Sequence, residues 1–513
     1  MLPYTVEQSI IEGEWEVKEL FEFVQDKAGQ FEAYGIEKAI FAKVMKIGLA
    51  AMKCYFAVKG TGNVGNKLEL EDGTELKKES GFRERDYFSI FGKLKVPRTC
   101  YRIEGYPGVM PLDAEANLPS RCYSYLLQEW MNFLSIRDTF RESEISLEKL
   151  LGLKVSSSRL EIVNEESSRN YDEFYENKEI PSADSEGELQ VLGFDGKGVP
   201  MIKREAAKLK SRQGKGEKRQ KKKEALVGVD YTVNQKVRTP EEVAENLIYP
   251  EKAKERKNEG NDNSSSIRAE NVRRLASLQR SKQEVVEEIV NDAQNRDPNH
   301  KRQWVVLMDG ALHLWSLIAR VLAGINYVGI LDIIHVVEYL WKAVNALYGE
   351  NNPENQKWVY NHLLSILQGR VGWVIGGLKQ ILTKRKLKKS QKKAIEEVIR
   401  YFENHTKWMH YDQYLKEGYP IGTGVVESTC GYTVKERMEG TGRRWSVVGA
   451  ESTLLLRSVY TSKDWDAYWH SHMFIERKCL YQSTLKALGY ADDYCCEAVS
   501  LDKSRIYEQK EAA

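Results

Sequence analysis

Leu189-Gln-Val-Leu-Gly-Phe-Asp195-Gly-Lys-Gly-Val-Pro-Met-Ile202 is the stretch whose reading decides the fold. An apolar run closes on an aspartate and two nearby glycines, which reads as a strand, a tight turn and a second strand. Ala225-Leu-Val-Gly-Val-Asp-Tyr-Thr-Val233 supplies a third, and Asp230 within it reads as structural or solvent-facing. Gln303-Trp-Val-Val-Leu-Met-Asp309 repeats the pattern of an apolar strand ending in aspartate and glycine, and Tyr327-Val-Gly-Ile-Leu-Asp332 ends on aspartate again. An amphipathic helix over 281–294 and a helix around 313–322 lie between them. Strands alternating with helices place this region in the α/β class.

Asp195 and Asp309 end apolar strands, and open α/β sheets gather ligands at that edge. Glu427 falls on the first turn of a helix entered through Tyr419-Pro-Ile-Gly-Thr-Gly424. Three carboxylates without clustered Cys or His make an oxygen-only site, suited to Mg²⁺ or Mn²⁺ and poor for zinc. Two such ions ~4 Å apart activate a water or a 3′-hydroxyl for in-line phosphoryl displacement. Strand-end aspartates also serve as turn formers and helix caps. The residues alone leave both roles open.

The chain of 513 residues has room for about three domains at roughly 150 residues each. Residues 5–57 read as helix, 66–103 as a small β-rich unit, and 120–177 as helix again. Within the last, 138–151, Gly152 and a helix opened by Ser156 suit a helix-turn-helix or an ordinary helical hairpin. Residues 181–188 form a polar linker. From His335 to about Leu415 the chain is helical, with a basic stretch at 384–393. The organisation expected is 1–115 helical plus β, for oligomerisation or end binding; 116–186 helix-turn-helix-like; 187–335 the first part of an α/β core; 336–415 an all-α insertion; 416–462 the Glu helix of the core; and 463–513 a helical tail.

Residues 1–190 carry 24 Lys and Arg against 34 Asp and Glu, whereas the remainder carries 53 against 41. That asymmetry points the C-terminal portion at a polyanion. Seven cysteines at scattered positions, with no pair of CxxC motifs, argue for a reducing cytoplasm and against a disulfide framework or zinc ribbon. No apolar run approaches the ~20 residues a membrane-spanning helix needs.

The motifs together carry a resemblance. Gly193-Phe-Asp-Gly-Lys-Gly-Val-Pro-Met, Val306-Leu-Met-Asp-Gly-Ala, Ile330-Leu-Asp-Ile-Ile-His-Val-Val-Glu-Tyr-Leu-Trp341, Tyr419-Pro-Ile-Gly-Thr-Gly-Val-Val-Glu-Ser428 and Val434-Lys-Glu-Arg-Met-Glu-Gly-Thr-Gly-Arg-Arg-Trp-Ser446 resemble, in this order, the DDE transposases of the Kra-type insertion sequences (ISKra), prokaryotic relatives of the Mutator group. The resemblance spans about residues 120–460. It implies an α/β (α+β) multidomain protein with a ribonuclease H-like mixed-sheet core and a large all-α insertion. It implies that Asp195, Asp309 and Glu427, separated by 114 and 118 residues, hold two Mg²⁺ or Mn²⁺ ions. It matches Asp332-Ile-Ile-His335 to the family's [Cys/Asp]-x-x-His motif, which shapes the active site or contacts the scissile phosphate. It also implies cleavage and joining of double-stranded DNA at terminal inverted repeats and in target DNA, a homodimer or larger assembly on DNA, and a prokaryotic, nucleoid-associated cytoplasmic setting. The cysteine-bearing ribbon common in the family has no counterpart here, so no structural zinc is implied.

At 100° per residue, Lys435 and Arg437 fall about 80° to either side of Glu427 and flank the metal site, within reach of DNA phosphates. Arg443, Arg444 and Trp445 are placed to clamp a backbone or stack on a base, with core packing the alternative for Trp445. Residues 203–223 hold eleven Lys and Arg, among them Lys203, Arg204, Lys218 and Arg219, against two Glu, and suit non-specific phosphate contact. A catalytically silent or domesticated DNA-binding copy and a ribonuclease H-like nuclease are the alternatives to transposition.

Overall fold

The computed structural model describes residues 3–209, 221–251, 268–440 and 442–491. The chain divides into two compact units, residues 1–163 with 466–513 and residues 164–465. Lys218 and Arg219 lie outside the described residues.

The first unit opens with two long helices, Val6–Lys27 and Ala33–Lys59. Thr5 and Gln8 close the first turn as a capping box. An acidic helix faces a lysine-bearing one, with Glu12, Glu16 and Glu19 paired to Lys53, Lys46 and Lys43 at 2.7, 3.2 and 3.5 Å. Strands β1 (Lys67–Glu69), β2 (Glu75–Lys78) and β5 (Tyr101–Arg102) form a small sheet, and β3 (Arg83–Ser89) pairs with β4 (Gly92–Arg98). Helix Phe140–Leu151 ends at Gly152, whose φ of 67° is a left-handed stop that a side chain would strain. Helix Ser157–Ser167 follows. Its start is closed by the first helix: Glu144 Oε2 accepts from the Ser157 amide at 3.2 Å and hydroxyl at 2.8 Å. A carboxylate thus sits where a groove-reading helix would offer its amides to phosphate.

The second unit holds a five-stranded mixed sheet in the order β10-β9-β6-β7-β8. Strands β6 (Leu189–Pro200), β7 (Lys222–Val233) and β8 (Glu270–Ser277) are antiparallel neighbours, whereas β9 (Gln303–Met308) and β10 (Tyr327–Leu331) run parallel to β6. The unit is mixed α/β, as the patterning predicts. Two details differ. Asp195-Gly-Lys-Gly is no turn: β6 runs through it unbroken, with Asp195 opposite Val227 and Pro200 opposite Lys222. The glycines sit as ordinary strand residues, Gly196 opposite Leu226 and Gly198 opposite Glu224. Strand β8 escapes sequence patterning because Arg273 and Arg274 interrupt its apolar alternation.

Asp230 is fully buried inside β7, where it accepts from Gln190 and, at 3.0 Å, from Arg296 Nη1. Burial pushes its carboxyl well above the usual range against the pull of Arg296, so it is structural and faces no solvent. Helices Ile333–Tyr348, Asn355–Leu367, Val371–Lys384 and Lys389–His405 pack on the other face of the sheet, against Val229 and Tyr231, through Val336, Leu340, Leu363, Val374 and Phe402.

The unit boundary falls before the expected linker. Tyr171 and Tyr175 belong with the sheet, held by Arg273, whose Nη2 donates to the Tyr171 hydroxyl at 2.9 Å and whose guanidinium lies 3.2 Å from the Tyr175 ring centroid. The helical tail belongs with the first unit, where the Tyr481 hydroxyl donates to the Leu118 carbonyl at 2.6 Å. Among the described residues no helix is long and apolar enough to cross a membrane.

Candidate active site

Three parallel strands bring the aspartates together by register. Phe194, Met308 and Leu331 lie side by side on β6, β9 and β10. Asp195, Asp309 and Asp332 each come one residue past that line. Local donors then fix each carboxylate. Asp195 accepts from the Gly196 amide at 2.6 Å and from the Cys430 thiol at 3.2 Å. Asp309 accepts from the Ala311 amide at 3.0 Å, while its carbonyl takes the Trp315 indole proton at 2.8 Å. Among the described residues neither carboxylate has a Lys or Arg ion-pair partner. Burial raises the Asp309 carboxyl above its ordinary range, opposed by the Ala311 amide and reinforced by the negative charge of Asp195.

Asp332 has a different task. It is 1% exposed, caps helix Ile333–Tyr348 by accepting from the Ile334 amide at 3.1 Å, and holds Thr423 through the amide at 3.1 Å and the hydroxyl at 2.6 Å. It therefore anchors the loop that leads into the Glu427 helix, a positioning role. We predict that Thr423→Val, which keeps the shape but removes a donor from a buried carboxylate, costs about 1–3 kcal/mol. The denaturation midpoint reads this, and an unchanged midpoint would mean that Asp332 is held elsewhere. His335 lies 4.0 Å from Asp332 and 2.9 Å from Glu338. Burial disfavours its charge, but Glu338, Asp332 and Asp309 together hold its pKa above the ordinary histidine value.

Glu427 sits on the first turn of helix Gly424–Thr429, as the sequence predicts, but is exposed. The helix turns Val426 and Cys430 toward β6 instead: a Cβ on Gly193 would lie 2.2 Å from Val426 Cγ2. Glycine at 193 is what lets the helix approach the strand so closely. Among the described residues no group of three or more His, Cys, Asp or Glu is placed to hold a metal ion. The structure thus brings Asp195 and Asp309 together and leaves Glu427 outside the pair. The pair itself fits a hard cation. It is oxygen-only, half-buried, mutually repelling and, among the described residues, without a Lys or Arg ion-pair partner.

Of the expected DNA contacts, Arg437 and Trp445 are corrected. Residues Cys430–Lys435 form a π-helical turn, whose i→i+5 bonding shifts the phase of all that follows, so 100° per residue no longer applies. Arg437 is 2% exposed, with its guanidinium 4.5 Å from the Trp445 ring centroid. Trp445 is buried, its amide donates to the Pro200 carbonyl at 3.0 Å, and its indole donates to the Met438 carbonyl at 3.2 Å. The two are core, clamping the loop to the end of β6. Arg443 is half-buried and donates to the Glu436 and Arg437 carbonyls at 2.7 and 2.8 Å. Lys435, Arg444, Lys203 and Arg204 are exposed.

Sequence reasoning missed Cys430, Thr423 and Tyr401. Burial and then the charge of Asp195 push the Cys430 thiol well above its ordinary range, which keeps it a donor. Its only signal was a position one helical turn after Glu427. Tyr401 packs so tightly that a Cβ on Gly310 would lie 2.4 Å from its ring. No local pattern announces a contact between residues so distant in the chain. No protein-family model matches this chain, and no curated protein matches it.

Proposed function

We propose that the chain is a DDE-type transposase of the Kra insertion-sequence kind, which cuts DNA at terminal inverted repeats and joins the freed ends to target DNA. The observation that carries this reading is the placement of Asp195 and Asp309 one residue past the same register line on neighbouring parallel strands. We read the sheet as ribonuclease H-like, an antiparallel meander of β6, β7 and β8 continued by two strands parallel to β6. Asp195 and Asp309 would hold the cation, with Glu427, three residues before Cys430, as the third carboxylate available. Divalent cations bound there supply Lewis-acid activation of the attacking oxygen and neutralise charge on the phosphate. Gly196, Cys430 and Ala311 orient the two carboxylates through the bonds described above. Asp332 and Thr423 fix the entry to the Glu427 helix. Exposed Lys435, Arg444, Lys203 and Arg204 offer charge to the DNA backbone. Synapsis of two ends calls for at least a dimer on DNA.

A catalytically silent DNA-binding copy is the second reading, and the exposed Glu427 favours it. A labelled duplex bearing the repeats that flank the gene, incubated with the full chain and Mg²⁺, separates the two. The transposase reading expects nicks at the repeat boundary and none in a scrambled duplex. Specific binding without nicks in Mg²⁺ or Mn²⁺ would establish the silent copy instead.

A further inference from the structure

Seven of the ten residues from Lys384 to Lys393 are Lys or Arg, and all seven are exposed. They form the tip joining helix Val371–Lys384 to helix Lys389–His405, far in sequence from the carboxylates. Elsewhere in this helical block two lysines are paired with carboxylates: Lys342 with Glu397 at 2.5 Å and Lys379 with Glu403 at 2.6 Å. Among the described residues the seven make no ion pair with a carboxylate. Arg385 donates to the Tyr348 hydroxyl at 2.9 Å. The first carboxylates to follow, Glu396 and Glu397, come a turn later.

The placement also opposes the fold. Lys388 caps helix Lys389–His405, Lys389 opens it, no acidic residue occupies its first turn, and Lys392 and Lys393 follow. Positive charge at the positive end of a helix dipole is unfavourable. Like charges this close lie well inside the ~8–10 Å screening length of physiological salt. Among the described residues only Lys393, by its charge on Glu397, and Arg385, on Tyr348, find a partner against these costs, whereas a polyanion relieves both. Lys389, Lys392 and Lys393 share one helix face and span about 6 Å along its axis, which matches about two successive phosphates of one DNA strand.

We propose that this tip is a second contact to duplex DNA in the catalytic unit, gripping backbone phosphates without regard to sequence. It rests on the proposed function only for the choice of DNA as the polyanion.

The test uses the full chain with Lys388, Lys389, Lys392 and Lys393 all changed to alanine. Its probes are a repeat-bearing duplex and a scrambled one, titrated across salt concentrations. The slope of log affinity against log salt is expected to fall by about 2–4, equally for both duplexes. The melting temperature without DNA is expected to rise by about 1–3 °C as the repulsion is removed. Lys392→Glu with Lys393→Glu, a smaller change to the helix, should weaken binding about tenfold or more at moderate salt. An unchanged slope in the alanine variant, or a loss confined to the repeat-bearing duplex, overturns the proposal. So does preferential loss of binding to a single-stranded RNA probe over duplex DNA. The two readings fail separately. A wild-type chain that binds duplex DNA through this tip but never cuts leaves the tip standing and removes the transposase. A chain that cuts at repeat ends with the slope unmoved does the reverse.

Discussion

Asp309→Asn lowers Mg²⁺-dependent strand cleavage by about 10³-fold or more while leaving repeat binding intact, and it raises the melting temperature of the metal-free protein by about 1–3 °C. The two effects share one cause. The Asp309 carboxyl is raised by burial first and by Asp195 next, so its charged form costs the fold stability. That cost is absent below the ordinary carboxylate range and is complete once the pH has risen through the raised value. Asparagine removes the cost at neutral pH together with a charge that draws in the cation. Wild-type protein should therefore melt higher on addition of Mg²⁺ and the variant should not, and the gain in the wild type should fade as the pH drops toward the raised carboxyl. A variant that melts lower than wild type without metal, or that gains as much from Mg²⁺, would show that Asp309 is a turn former and no more.

Trp445→Ala costs about 3–5 kcal/mol, the range for deleting a large buried aromatic. It removes the partner of the Arg437 guanidinium and the donor to the Met438 carbonyl. The denaturant midpoint reads the loss. Had Trp445 stacked on a base, truncation would spare stability and weaken DNA binding, and that result would overturn the core assignment. Arg444→Ala, at an exposed position, should show the opposite pattern: stability within about 0.5 kcal/mol of wild type and a salt slope lower by about 1.

The strands that carry the aspartates are legible because β9, β10 and the part of β6 before Asp195 are largely apolar runs, each followed at once by its carboxylate. Their register is not. Nothing local says that Phe194, Met308 and Leu331 align, and that alignment is what makes Asp195 and Asp309 neighbours. No turn forms at Gly196 and Gly198 because β7 pairs with β6 from Leu189 to Pro200 without a break, a reason that exists only once β7 is in place. Arg437 was misplaced because a π-helical turn leaves no compositional mark, yet it breaks the helical phase on which the placement depended. Glu427 was correctly put on a first turn. Its exposure follows from Val426 fitting against Gly193, a contact between distant segments. The tail fared likewise: Tyr481 has no sequence signal that sends it to Leu118.

The most direct test of the account replaces Asp309 by cysteine and follows strand joining from a pre-cut repeat end into target DNA. A thiolate is a poor ligand for Mg²⁺ and a better one for Mn²⁺. Wild type is predicted to join ends in either cation, and Asp309→Cys to join them in Mn²⁺ but not in Mg²⁺. Joining by Asp309→Cys in Mg²⁺ at the wild-type rate, or no joining by wild type in either cation, would contradict the assignment of Asp195 and Asp309 as the heart of a strand-transfer site.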